Sequence, residues 1–398
     1  MKRRRFFETL TAALLAVLIG AVPAAPTMAQ GNSGKNKDKD DGGGDDGGTT
    51  APPPVTYMVT WIDGFSVDTR SDHAPVNESL DMFGYLSPNT LEGRVIFYEG
   101  RVYLMGSFFP VGTSLRWIYT ISDRTLDGSV YFVGTCDTAD GIRGYVMKLT
   151  PDGSGNLTRT AFDVVQPLEG DDITALRSVN NIGQVVGYSR HSGDFWARTA
   201  VFLDENAVAV PFAFPVNHQH INNQGLWVGT VSDADGNFAS YVGIPGGELV
   251  FASPMQNIYD VNSSGSFIGL ESFTETDKKG NTTYVNKSAY FDGFDTSYEE
   301  RDNVWIRGLN DSEDLLLYEH VAGKRNNPDY LRGLIYFSLL NSEFIVDDLL
   351  DSTNEVADVE KFLAENYKQF VDVKNDGTIV GTVTGDAPAT FILTPVTP

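Results

Sequence analysis

The chain has 398 residues and carries 53 Asp and Glu against 29 Lys and Arg, a net charge of −24. A surface so acidic repels nucleic acid and anionic membrane, which sets both aside as partners. A single cysteine, Cys136, excludes an internal disulfide framework and a thiolate metal cluster.

The first segment, "MKRRRFFETLTAALLAVLIGAVPAAPTMAQ", places a basic start before an apolar run from Leu10 to Val22 and small residues up to Ala29. That layout predicts an export signal over 1–29, with cleavage before Gln30; the apolar run is too short and wrongly flanked for a stable membrane span. Arg3, Arg4, Arg5, Phe6 and Phe7 also approach the twin-arginine pattern, although Lys2 and Glu8 depart from its usual flanks, so the general secretory and twin-arginine routes both stay open. No lipid-attachment cysteine follows the signal. Residues 30–55 are rich in Gly, Asp and Lys and hold almost nothing to bury, which predicts a flexible acidic tether. Residues 56–398 then retain 22 basic and 47 acidic residues in a stretch long enough for a sizeable core.

Within that region a unit recurs: an apolar residue and Asn, a turn, then an apolar strand ending in Gly. The best copies are "VNNIGQVVGYS" from Val179, "INNQGLWVGTV" from Ile221, "VNSSGSFIGLE" from Val261 and "VKNDGTIVGTV" from Val373. Asn180, Asn222 and Asn262 each precede one Gly by three residues and another by seven. This is hairpin chemistry, because Asn bonds its own backbone and Gly takes the positive φ of a tight turn. Weaker copies start at Val76, which lacks the middle Gly, at Leu309, which keeps only Asn310, and at Ile121, which carries two extra residues before Gly134.

Each copy continues with a turn, a third strand such as "RVIFYEG", "TAVFLDE" or "ATFILTP" and, in the first six, a fourth strand such as "RVYLMG" at 101 or "SEFIVDDL" at 342. The terminal Gly or its equivalent falls at 84, 134, 187, 229, 269, 317 and 381, intervals that suit one four-stranded blade per copy. The seventh copy stops after its third strand, while "TYMVTWID" at 56–63 belongs to no copy. Together they would complete one blade from both termini and close a ring. The expected fold is an all-β, seven-bladed β-propeller with the N-terminal strand in the last blade.

One insertion breaks the pattern. In "DSTNEVADVEKFLAENYKQF" at 351–370, Ser352 and Glu355 have capping-box spacing, and Val356, Val359, Leu363 and Phe370 follow at near-helical intervals. A helix near 352–370, packed over the end of the ring, is the expectation; docking of a partner is the alternative.

The Ile/Val-Asn-x-x-Gly-x-x-Val-Gly stretch with its short apolar strand resembles the HAF-repeat proteins, described as probable extracellular repeats of bacteria. The chain's end matches that family's final unit in Asp348-Leu349-Leu350, in Asn375-Asp376-Gly377-Thr378-Ile379-Val380-Gly381 and in Ala389-Thr390-Phe391-Ile392-Leu393-Thr394-Pro395. The naming His-Ala-Phe triplet is absent: Arg198-Thr199-Ala200-Val201-Phe202 and Pro388-Ala389-Thr390-Phe391 stand in its place. The resemblance implies fold and export and supplies no enzymatic role.

Two sets of residues could carry chemistry. His218 and His220 lie two apart on a strand, where both imidazoles could reach one metal, but His218 shares its repeat column with Leu176, Ile258, Ile306 and Phe370, which points to packing. The column of His220 holds Ser178, Asp260, Gly308 and Asp372. If it lines a central channel, His220, Asp260 and Asp372 would converge as acid, base or cation ligands; otherwise they flank turns and bond their own backbone. Asp233 and Asp235 in "DADGN", and "DTADG" at 137, resemble fragments of calcium loops without the downstream bidentate Glu, and read as turns. Cys136 aligns with Ser189 as a small packed residue, with no basic neighbour placed to activate it. No serine-hydrolase, zinc-protease, phosphate-loop or dinucleotide motif occurs.

The expected function is therefore an exported, monomeric, non-catalytic propeller that binds an extracellular glycan or protein, with no cofactor beyond a possible calcium. The alternative is a propeller hydrolase or lyase acting on extracellular carbohydrate through His220, Asp260 and Asp372. A third reading is a structural surface protein whose acidic faces associate through divalent cations.

Overall fold

The computed structural model describes residues 55–70, 74–86, 93–193, 199–203, 209–210, 216–232, 238–243, 250–253, 257–276, 280, 282–292, 298–302, 304–321, 330–365, 368–383 and 387–396. The signal expected over 1–29 and, but for its last residue, the tether expected over 30–55 lie outside them. No described helix is long and apolar enough to cross a membrane.

Short apolar runs between Asn-, Asp- and Gly-rich turns pair with their sequence neighbours, so each copy folds into an antiparallel meander. Seven four-stranded sheets result. Blade 1 comprises Phe65–Val67, Met82–Leu86, Arg94–Tyr98 and Arg101–Leu104, and blade 2 comprises Ser114–Ile121, Val130–Thr138, Gly141–Pro151 and Leu157–Val165. Blades 3 to 6 open on the inner strands Ile173–Val179, Val216–Ile221, Asn257–Val261 and Val304–Leu309. Blade 7 is built from Lys368–Val373, Ile379–Val383 and Ala389–Val396, with Thr56–Asp63 as its fourth and outermost strand. That N-terminal strand pairs along its whole length with the C-terminal one, from Thr56 opposite Val396 to Asp63 opposite Ala389. The fold is a β-propeller closed by both termini.

The core lies between blades. Phe83, Ile96 and Tyr98 of blade 1 pack against Phe132, Met147 and Leu149 of blade 2. The closing seam joins Phe65, Val67 and Met82 of blade 1 to Val371, Val380 and Ile392 of blade 7. Leu176, Ile258, Ile306 and Phe370, one repeat column, are all buried. Cys136 is buried in the same core as Phe132, and burial pushes its thiol up to about 11.

Inner strands of blades 2 to 7 each carry a bulge just before the channel column, as between Leu176 and Ser178, Ile258 and Asp260, and Phe370 and Asp372. In blades 2 and 3 the bulged inner strand runs close against the Gly that ends the repeat motif. A Cβ on Gly134 or Gly187 would meet an inner-strand carbonyl oxygen, of Trp117 at 1.9 Å or of Ala175 at 2.2 Å. These glycines allow a close backbone approach inside the sheet, where the sequence suggested only a strand end.

The insertion differs from expectation. The helix α1 spans only Val356–Ala364, its N-cap is Glu355, and no side chain caps it; the Ser352–Glu355 box does not form. Phe370 belongs to the inner strand of blade 7. Val356 and Leu363 are exposed, and the buried anchor is Phe362, whose ring meets Trp61 at 6.4 Å and Phe391 at 5.1 Å. The segment lies along the outermost strand of blade 7 and covers its free edge: Asp351 N–H donates to Tyr57 O, Asn354 Nδ2 donates to the same carbonyl, and Val59 N–H donates to Asn354 Oδ1. Protecting the one strand that arrives from the other terminus is its role in the fold.

Candidate functional site: the central channel

In five blades the turn that follows the inner strand is built by one Asn, namely Asn77, Asn180, Asn222, Asn262 or Asn310. In blade 4 the Oδ1 of Asn222 accepts from the N–H groups of Gln224 and Leu226 at 3.1 and 2.9 Å, and Gly225 adopts φ 80°. Blades 1 and 6, which lack the middle Gly, keep the same turn by forcing Leu80 and Glu313 to φ 60° and 63°. Blade 2 shifts the turn by three residues, closing it with Thr125 N–H to Ser129 O and Gly128 N–H to Thr125 O.

The other half of the Asn amide was not foreseen. Asn180 Nδ2 donates to Asn222 O at 3.1 Å, Asn222 to Asn262 O at 2.8 Å, Asn262 to Asn310 O at 3.2 Å and Asn310 to Lys374 O at 3.2 Å. One side chain thus ties its own turn and the neighbouring blade, forming a belt around the channel mouth. A second belt lies one residue further on: the N–H groups of Glu78, Asn181, Ser263, Asp311 and Asn375 donate to the side chains of Asp123, Asn223, Asp311, Asn375 and Glu78 respectively. The signal for both was the Asn column itself, which hairpin chemistry alone already explained.

Inside the belts is a cavity of about 180 Å³ whose walls include Ser178, His220, Asp260 and Asp372. The column singled out in the sequence therefore does converge from four blades. Gly308 stands in the same column, and its missing side chain leaves room for Asp372, whose Oδ1 would lie 3.0 Å from a Cβ there. Five carboxylates, Glu78, Asp123, Asp260, Asp311 and Asp372, face one ammonium, Lys374. Lys374 occupies the Asn place of blade 7, is 5% exposed, donates to Val76 O at 2.8 Å and forms an ion pair with Asp372.

Both interior carboxylates also accept from the next residue's backbone, Asp260 from Val261 N–H and Asp372 from Val373 N–H, each at 2.8 Å. The backbone-bonding role weighed for them is thus real, beside their convergence. Asp260 is pushed up to about 7, by burial first and then by the negative charge of Asp372, with Lys374 opposing. Glu78 is raised by burial against the pull of Lys374. Lys374 is itself raised: burial works against its charge, but Asp372 and Glu78 outweigh it.

Among the described residues no three His, Cys, Asp or Glu side chains are grouped to hold a metal ion. His218 lies on the inner strand of blade 4, with its side chain outside the described set, as are Asp233 and Asp235. Asp137 of the other calcium-like segment pairs with Arg116 at 3.0 Å, and its turn is closed by Thr138 Oγ1 donating to Gly141 O.

No protein-family model matches the sequence, and no curated protein matches it. Among solved structures, the polysaccharide lyase Uly1 is similar at 10% identity over 85% of this chain and 77% of that one, with a TM-score of 0.34. MPT-4, a mannose phosphorylase from Leishmania mexicana in complex with phosphate ion, is similar at 12% identity over 68% and 81%, with a TM-score of 0.23. Likeness this loose carries no argument about chemistry here.

Proposed function

We propose that the chain is an exported propeller of the HAF-repeat kind that recognises an extracellular glycan or protein without transforming it. The observation that supports this reading is how the polar groups of the channel are used. Thr120 Oγ1 donates to Arg177 O of the next blade at 2.7 Å, Ser178 Oγ accepts from Ile221 N–H at 3.2 Å, and Asp372 is paired with Lys374. Groups engaged in holding blades together are poorly placed to move protons or attack a substrate. A closed ring of blades joined by surface loops suits recognition. The test is an array of glycans and surface proteins, probed with and without calcium, with each bound glycan analysed for cleavage. Binding without product is the expected outcome, and product formation would overturn it.

One observation favours the second reading, a hydrolase or lyase acting on extracellular carbohydrate. A carboxyl titrating near 7 in the cavity that holds His220 and Asp372 is poised for acid–base work. In that case cleavage follows a pH profile inflecting near 7 and disappears in Asp260→Asn.

A further inference from the structure

A second cluster of polar and aromatic groups lies where blade 1 meets blade 2. Trp117 is the fourth of the eight residues of the inner strand of blade 2. Tyr85 and Arg94 stand directly opposite each other on the second and third strands of blade 1. Arg70 follows closely on the inner strand of blade 1. The guanidinium carbons of Arg70 and Arg94 each lie 4.4 Å from the Trp117 ring centroid, and 5.8 and 5.6 Å from that of Tyr85. Arg70 pairs with Asp68, its Nε donating to Oδ1 at 2.9 Å, and the Tyr85 hydroxyl donates to the other oxygen of Asp68 at 3.2 Å.

Arg94 is different. It is 3% exposed, its Nη1 donates to the Arg116 carbonyl, its Nε is sealed from solvent without a partner, and no carboxylate among the described residues pairs with it. Its Nη2 has no hydrogen-bond partner among the described residues and keeps contact with solvent, so this arm of the fork is the one open to a ligand. Burial lowers the pKa of Arg94, and the charge of Arg70 lowers it further against the opposing pull of Tyr85. Contact with an aromatic face offsets only a part of the cost of desolvating such a cation. Among the described residues the carboxylate whose charge reaches Arg94 is Asp68, and its oxygens are already held by Arg70 and Tyr85.

We propose that the Arg70–Arg94–Trp117 cluster at the junction of blades 1 and 2 is a binding subsite for the oxyanion, carboxylate or sulfate, of an acidic sugar. The assignment rests on the recognition reading above and names its substrate class. A planar guanidinium with a free edge suits a two-oxygen group, and a second guanidinium on the same indole fixes the approach. The strongly acidic remainder of the chain repels long polyanions, so the fitting ligand is a short oligosaccharide with few acidic groups.

Calorimetry on the full chain would compare three trisaccharides of one backbone, uronate-bearing, sulfated and neutral, with free acetate and free sulfate as ion controls. At least one acidic probe is expected to bind tenfold or more tighter than the neutral one, the two acidic arms telling carboxylate from sulfate. Arg70→Gln, at a side chain 33% exposed, and Arg94→Lys, which keeps the charge and loses the fork, should each remove that preference while circular dichroism shows the chain still folded, the first at a lowered melting temperature because the buried Asp68 loses its counter-ion. Equal binding of acidic and neutral probes would overturn the acidic subsite and leave the recognition reading standing. The subsite is equally overturned by variants that bind like the parent, or by a free ion that binds as well as the sugar. Failure of every glycan on the array to bind would remove the glycan reading itself.

Discussion

The ammonium of Lys374 donates to the carbonyl of Val76 at 2.8 Å, so the last blade grips the first through a side chain at the very position where Asn ties the other blades. The same ammonium pairs with Asp372, making the ring closure charged where its neighbours are neutral. A cation reaches farther than an amide, and the charge it brings must be balanced inside a nearly buried site.

Replacing Lys374 by Met should therefore cost about 3–4 kcal/mol, because it leaves Asp372 buried beside other carboxylates and opens the seam between the first and last blades. Lys374→Asn, which places the residue of the Asn copies there, should cost roughly half as much, since Asp372 loses its counter-ion but the amide supplies the turn with a side-chain acceptor that Lys374 lacks. Urea unfolding followed by tryptophan fluorescence would measure both, and equal losses would show that the Asn amide recovers nothing and that the whole cost is that of the lost ammonium.

The belt predicts a separable effect at Asn222. Asn222→Ala removes two turn bonds and the bond to Asn262 O and should destabilise by about 2–3 kcal/mol. Asn222→Asp keeps the acceptors and loses only the inter-blade donor, so a loss of about 1–1.5 kcal/mol is expected. If the two variants unfold at the same urea concentration, the inter-blade bond is the dominant part.

How far the sequence reveals this molecule depends on whether one local rule explains each signal. The Asn-x-x-Gly turns, the alternating strands and the unpaired Thr56–Asp63 segment follow from short-range chemistry, and each has its counterpart in the fold. The channel column was legible because His220, Asp260 and Asp372 fall in phase with the repeat. Lys374 was hidden because its meaning depends on Val76, almost 300 residues away. The helix near 356 misled because its apolar residues were counted by spacing, whereas only Phe362 meets a surface that could bury it. Arg94 escaped notice since nothing local distinguishes a guanidinium that packs on Trp117 from one that faces water.

A close approach predicts the outcome at Gly187. A methyl group there would lie 2.2 Å from the Ala175 carbonyl oxygen and 2.8 Å from the Leu176 Cα, both backbone atoms that no rotamer change can move. Gly187→Ala should cost about 3 kcal/mol as the inner strand of blade 3 is displaced. Gly100→Ala serves as the control, because its position has nothing within 4 Å and only the strain of φ 76°, worth about 1 kcal/mol. Thermal melts of the two variants should rank in that order.

The pH dependence of stability should carry the signature of Asp260. Its folded value is raised to about 7, while an unfolded Asp titrates near 3.9, so between those values the folded chain holds a proton that the unfolded chain has released. The contribution of this group is fully present below about pH 4 and is lost as pH rises through about 7. Asp260→Asn keeps the acceptor for Val261 N–H and removes the titration, so the variant should be more stable than the parent above pH 7, on the order of 1–2 kcal/mol once partial solvent screening is allowed for. Below pH 4 the two should converge. Because Glu78 is shifted in the same direction, the variant retains a shallower slope of the same sign, and only the double substitution with Glu78→Gln should flatten it. Melting temperatures of parent, single and double variants from pH 4 to 8 would check this, and a parent whose stability rises steadily across that range would show that Asp260 is charged in the folded ring at every pH tested.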